Sequence, residues 1–139
     1  MRALLDADVV LDVLQRREPW FGDSAAVVAA AERGRFEGLL AAHTATTLFC
    51  LMARHVARDA ARVQVFELLR FLQVAPVDKA VLTQALALPY ADLEDGVQMA
   101  AAAQAGADYV VTRDRALYAA GPLPALTPGE MLVLLADGG

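Results

Sequence analysis

Three aspartates in this chain fall where a short apolar run ends or a helix begins, and carboxylates in such places can do metal chemistry. Asp6 follows the apolar run Ala3 to Leu5, and Asp114 follows the run Tyr109 to Thr112. Asp95 lies in the first turn of the alanine-rich segment that feeds the second run. If both runs are strands of one open parallel sheet, their carboxyl ends can share a crevice, which is where ligands bind in such sheets. Crowded carboxylates repel one another, so either one member keeps its proton or the cluster recruits a cation. A hard divalent ion with oxygen ligands, magnesium or manganese, is the simplest neutraliser. Held with open water positions, it generates hydroxide for in-line attack on a phosphodiester and stabilises the departing oxygen. Taken singly the acids have plainer roles: Asp8, Asp92 and Asp114 suit helix N-caps, and Glu94 and Asp95 suit a helix N-terminus through its dipole. The chemical reading rests on their joint placement.

The chain has 139 residues, of which 58% are hydrophobic and 21% charged, so it has the length and apolar content of one domain, residues 1–139, with a substantial core. With 9 glycines and 6 prolines it is neither a disordered chain nor a loop-rich scaffold. A net charge of -5 excludes a generic nucleic-acid coat, and any nucleic acid needs a local basic patch. One cysteine, Cys50, and two histidines cannot assemble the usual Cys/His zinc site, which leaves carboxylates as the plentiful ligands. Acids interrupt the N-terminal MRALLDADVVLDVL, and no apolar run reaches membrane-spanning length, so a soluble cytoplasmic protein is expected.

The elements that must position the acids alternate short apolar runs with helical segments, the pattern of a sheet with helices on both faces. Strands are predicted at Ala3 to Leu5, Leu39 to Ala42, Val74 to Val77 and Tyr109 to Thr112. Asp8 is placed to cap a first helix, and Asp23 or Ser24 a second that Gly34 stops. A long helical region from Thr44 to about Leu72 should break near Asp59. Asp78 caps a helix to about Leu86, Asp92 opens the alanine-rich helix ending at Gly106, and Asp114 begins a short helix or turn. Thr127 caps a last helix from Pro128 to about Leu135, with Asp137, Gly138 and Gly139 frayed.

Several other residues invite roles. Arg54, Arg58 and Arg62 recur every four residues beside His55, and a solvated face paired with Asp59 is favoured over a phosphate-binding one. Arg16, Arg17, Arg113 and Arg115 are better placed for RNA, near the crevice. Cys50 reads as core packing rather than as a nucleophile. His43 ends the second strand with no neighbouring acid evident, so it receives no catalytic role. Trp20 and Phe21 form a partner-facing patch or cover the core.

LLDADVVLDVL at 4–14, DLEDGVQMAAAAQAGADYVVTRD at 92–114 and PALTPGEML at 124–132 together resemble a PIN domain. That is the fold of metal-dependent ribonucleases that includes the VapC-like toxins of bacterial toxin–antitoxin pairs. The resemblance implies a three-layer α/β/α domain with a central, mainly parallel sheet. It implies Asp6, Asp95 and Asp114 as the catalytic metal ligands for Mg2+ or Mn2+, Thr112 as a supporting hydroxyl and Asp92 as an outlying acid. Asp8 stands where the family often has Asn, and Asp12 is structural. The implied activity is endonucleolytic cleavage of single-stranded RNA by a homodimer, with an antitoxin protein as a further partner. Two family acids are missing: Cys50 stands at or near one, and Arg115, Ala116, Leu117 and Tyr118 follow Asp114 where a second aspartate often lies.

Two alternatives stay open. A degenerate PIN domain would bind RNA or protein without cleaving. A haloacid-dehalogenase-like phosphatase would use the Asp-x-Asp of LLDADVV and the acidic loop LEDGVQ, with Lys79 as its cation, but leaves VVTRD and the last helix unexplained.

Overall fold

The computed structural model describes residues 1–138, so Gly139, expected to fray, lies outside the described residues. In β1 (Arg2–Leu5), Ala3, Leu4 and Leu5 are all fully buried although successive side chains point to opposite faces. Such a strand must be covered on both sides, the condition that parallel sheets meet with two layers of helices. The other strands are β2 (Glu37–Ala41), β3 (Gln73–Ala75), β4 (Tyr109–Val111) and β5 (Ala125–Leu126). Their order is β3-β2-β1-β4-β5 and every pairing is parallel, with Ala3 opposite Gly38 and Leu4 opposite Val110.

The helices are α1 (Ala7–Leu14), α2 (Phe21–Glu32), α3 (Ala42–Met52), α4 (Arg58–Leu69), α5 (Lys79–Ala87), α6 (Leu93–Gln104) and α7 (Pro128–Asp137), with a 3-10 turn at Arg115–Tyr118. Two buried clusters show how they are shared between the faces. Ala3, Leu5, Leu40 and Val111 pack with residues of α1, α2, α3, α4 and α7, whereas Leu4, Leu39, Ala75 and Val110 pack with α5, α6 and Tyr118. This is the three-layer α/β/α arrangement, and the sheet is wholly parallel. Among the described residues no helix is long and apolar enough to cross a membrane.

Capping chemistry sets several boundaries as the sequence predicts. Asp78 accepts from Val81 N–H at 2.9 Å, and Asp92 from Glu94 N–H at 2.9 Å. Thr127 and Glu130 form a reciprocal capping box. Gly34 and Gly106 end α2 and α6 at φ 76°, the left-handed conformation that glycine adopts without a Cβ penalty.

Elsewhere the structure differs. Asp6, not Asp8, is the N-cap position of α1, and Trp20 rather than Asp23 or Ser24 precedes α2. Neither makes a side-chain cap, because tertiary packing rather than local bonding starts these helices. The break between α3 and α4 falls over residues 53–57, ahead of Asp59, which sits in the first turn of α4. Arg54 is therefore off the helix that carries Arg58 and Arg62, and the four-residue spacing makes no single face. β2 starts at Glu37 and β3 at Gln73, earlier than their apolar runs, since pairing register sets where a strand begins. The two-residue β5 was not expected and is held only by pairing with β4. The last helix runs further than the sequence suggests: Asp137 ends α7 and Gly138 is its C-cap.

Candidate active site

From β1 the chain builds β2 and β3 on one side and later returns to lay β4 on the other, so the carboxyl ends of β1 and β4 flank a topological switch point. Asp6 leaves β1 there. Its backbone N–H donates to Val111 O at 2.9 Å and its carbonyl accepts from Val9 N–H, which leaves the carboxylate unused by capping. Asp6 as a whole is 4% exposed. Its Oδ2 accepts from the Thr112 hydroxyl at 2.8 Å, and its Oδ1 accepts from Gln98 Nε2 at 3.1 Å. Burial pushes its pKa up, opposed by these two hydrogen bonds, and the charge of Asp8 adds to the rise.

Asp95 comes from the first turn of α6. Gly96 beside it lets α5 approach closely, since a Cβ there would lie 3.0 Å from the Ala85 carbonyl oxygen. The Tyr118 hydroxyl, which also accepts from Gln98 Nε2 at 3.1 Å, donates to Asp95 Oδ1 at 3.4 Å. Burial first, then the charges of Asp6 and Asp92, raise the Asp95 pKa to about 6. The strongest charges acting on Asp6 and Asp95 are all acidic.

Asp6 and Asp95 are thus brought together, while Asp114 stands one step away. Its N–H donates to Thr112 Oγ1 at 3.2 Å, and its own carboxylate accepts from Ala116 N–H at 3.2 Å, capping the 3-10 turn. Among the described residues no three His, Cys, Asp or Glu side chains converge closely enough to hold one metal ion. Thr112 is where the sequence placed it, fully buried with its hydroxyl on Asp6. Asp92 caps α6 and adds negative charge at Asp95.

Cys50 is exposed, neither in the core nor facing the crevice; it lines an outer groove with Phe49, Val65 and Phe66. On α3, Thr47 and His43 both meet Glu94 of α6; the Thr47 hydroxyl lies 3.4 Å from Glu94 Oε1 and 3.2 Å from the His43 carbonyl oxygen, the two acceptors for its one hydrogen. Cys50 lies one helical turn further along and is exposed, and the sequence of α3 carried no signal for which turn meets α6. His43 has an acid beside it after all: burial lowers its pKa while the charge of Glu94 opposes, and both ring nitrogens lack a hydrogen-bond partner.

The arginines expected to face RNA are largely engaged. Arg113 holds Asp12 at 3.0 and 3.2 Å and stacks on Trp20 at 4.0 Å. Arg115 holds Glu130 at 2.9 Å, and Arg17 lies 3.7 Å from Asp12. Arg62 pairs with Asp59 at 3.4 Å, the solvated-face arrangement. Sequence reasoning passed over Gln98 and Tyr118; the one available signal was an amide inside the apolar stretch VQMAAAA.

A family model for the PIN domain matches residues 2–116, and the chain belongs to that family. This overturns the haloacid-dehalogenase-like reading, whose cation Lys79 lies exposed at the start of α5. A comparison with curated proteins finds no match. Among solved structures, FitAcB from Neisseria gonorrhoeae is similar with a TM-score of 0.71 and 21% identity, covering 91% of this chain and 98% of that one. A toxin–antitoxin complex from Klebsiella pneumoniae gives 0.69 and 16%, covering 91% and 97%. The sarcin-ricin-loop-cleaving toxin VapC20 from Mycobacterium tuberculosis gives 0.61 and 14%, covering 78% and 86%. At these identities the likeness is one of fold.

Proposed function

We propose that this chain is a divalent-metal-dependent endoribonuclease of the VapC-like toxin type, cleaving single-stranded RNA at the Asp6–Asp95 crevice, with Asp114 as the third acid. The observation that carries the reading is a pair of desolvated carboxylates at the switch point whose strongest neighbouring charges are acidic. Such a pair is relieved by a proton or by a cation, and its all-oxygen donors suit Mg2+ or Mn2+. Asp6 and Asp95 would hold the ion, with Asp114 joining them if its carboxylate leaves the Ala116 cap. When bound, the ion supplies a water of lowered pKa and stabilises charge on the phosphate. The chain's own part is to hold Asp6 between Thr112 and Gln98, to direct the Tyr118 hydroxyl at Asp95, and to seal the floor of the crevice from water.

A panel of single-stranded RNAs incubated with the protein and Mn2+ or Mg2+ should yield internal cleavage products that EDTA abolishes and added Mn2+ restores. The capped Asp114 and the absent α3 acid favour a second reading, a PIN domain that binds without cleaving. Tight Mn2+ binding without RNA fragments would support it, and RNA cleavage that persists in EDTA would overturn both.

The α3 geometry makes its own prediction. Cys50→Glu should fold stably and leave Mn2+ affinity unchanged, because position 50 faces outward. Thr47→Glu should tighten Mn2+ binding severalfold, measured by electron paramagnetic resonance, because position 47 faces the α6 acids. The reverse pattern would move the site.

For partners we propose a homodimer and an antitoxin protein. The α3–α4 surface exposes Val63, Phe66 and Leu69 around an apolar groove of about 490 Å³, and exposed apolar patches mark interaction sites. The solved neighbours include a toxin–antitoxin complex. Sedimentation at micromolar concentration should give a dimer mass; a monomer would remove the homodimer. We also place the protein in the cytoplasm.

A further inference from the structure

We propose that Gln98 and Tyr118 form a one-way hydrogen-bond relay through which Gln98 orients Asp95 without a direct hydrogen bond to it, making both positioning residues of the carboxylate pair. The direction follows from what each group can do. The Ala7 N–H can only donate, so Gln98 turns its Oε1 toward it, at 3.2 Å. Both protons of the Gln98 amide then remain for Asp6 Oδ1 and Tyr118 Oη, each at 3.1 Å. An ionised carboxylate can only accept, so the amide flipped end for end would set oxygen against oxygen at Asp6 and N–H against N–H at Ala7. Because the Tyr118 oxygen accepts a hydrogen bond from Gln98 Nε2, its own single hydrogen is left to donate to Asp95 Oδ1.

Gln98 is 2% exposed and Tyr118 1%, so water does not readily take over either role. A buried amide inside an alanine-rich helix is costly unless its hydrogen bonds are made, and here both amide protons and the oxygen are used. Asp6 and Asp95 come from β1 and α6, distant in sequence, and the relay ties their geometry together through two neutral side chains. No other link of this kind joins them among the described residues.

The test uses the full chain, free of metal, with 13C-labelled aspartate. The Asp95 carboxyl resonance is assigned from its loss in Asp95→Asn. Gln98→Met should move that resonance at fixed pH although residue 98 makes no hydrogen bond to Asp95, and Tyr118→Phe should move it too. Adding Gln98→Met to Tyr118→Phe should move it no further. An unmoved Asp95 resonance in Gln98→Met, or additive shifts in the double variant, overturns the relay. A measurement on the unaltered chain guards against misfolded variants: the Gln98 side-chain amide protons should exchange slowly with water, and fast exchange also overturns it.

A second arm rests on the proposed metal reading. Each single variant should weaken Mn2+ binding 10–100-fold, the usual effect of losing a group that orients a ligand. The double variant should be no weaker than the weaker single. If the parent binds no Mn2+, the metal reading fails, while the relay still stands or falls on the carboxyl resonance.

Discussion

Asp6→Asn and Asp95→Asn should each abolish metal-dependent RNA cleavage, a loss of at least about 1000-fold, and leave the chain as stable as the parent or more so. Each substitution removes one of two repelling, desolvated charges while keeping the shape of the side chain. At Asp6 an oxygen still accepts from Gln98, and the Thr112 hydroxyl can turn to accept from the new amide, so both ends of the new side chain keep a partner. Asp114→Asn should also abolish cleavage if the third acid acts, yet retain the cap on Ala116, which needs only an oxygen. Parent-level cleavage by any of the three would remove that residue from the site, and marked destabilisation would assign it a structural role instead.

The Asp95 effect carries a pH signature. Its folded pKa, about 6, lies above the ordinary 3.8, so the folded state holds the proton more tightly than the unfolded chain. Stability from this group is therefore fully present below about pH 4 and lost as pH rises through about 6. With partial exposure the loss is on the order of 1–2 kcal/mol. Asp95→Asn should flatten that slope and raise the melting temperature at neutral pH by a few degrees. An unchanged slope in calorimetry across that window would show that the carboxylate is not strained.

The second large effect is one of stability. Asp12 is fully buried and its carboxylate takes two hydrogen bonds from Arg113. Asp12→Ala leaves that guanidinium, stacked on Trp20, with only its looser contact to Asp8 at 3.8 Å. Breaking a fully buried pair from one side costs about 3–5 kcal/mol; with Arg113 partly exposed and Asp8 still near, the loss here is on the order of 1–3 kcal/mol, a fall of on the order of 5–10 °C in melting temperature. Replacing both partners, Asp12→Leu with Arg113→Met, should recover most of the loss, because no buried charge is then stranded. A double variant no more stable than the single would show that the clamp is more than this pair. Arg113 lies between Thr112 and Asp114, so the single variant should also loosen the β4 end of the crevice.

How much of this was legible beforehand follows from the range of the forces involved. Local rules reach a few residues, and they placed the Asp78, Asp92 and Thr127 caps, the glycine stops and the strand at Tyr109. The three-segment pattern around Asp6, Asp95 and Asp114 was enough to indicate a PIN-like sheet. Three-dimensional packing decided the rest. It turned Thr47 rather than Cys50 toward α6, because adjacent helical turns look alike in an apolar sequence. It drew Arg113 onto Asp12, some hundred positions away, and so withdrew a cation that sequence proximity had assigned to RNA. It set Gln98 and Tyr118 between Asp6 and Asp95, a junction of β1, α6 and the turn after β4 that no spacing encodes. The amino-acid sequence alone determined which chemical groups the crevice has available. The parallel order β3-β2-β1-β4-β5 determined which of them meet, since buried polar groups must find partners wherever the sheet brings them.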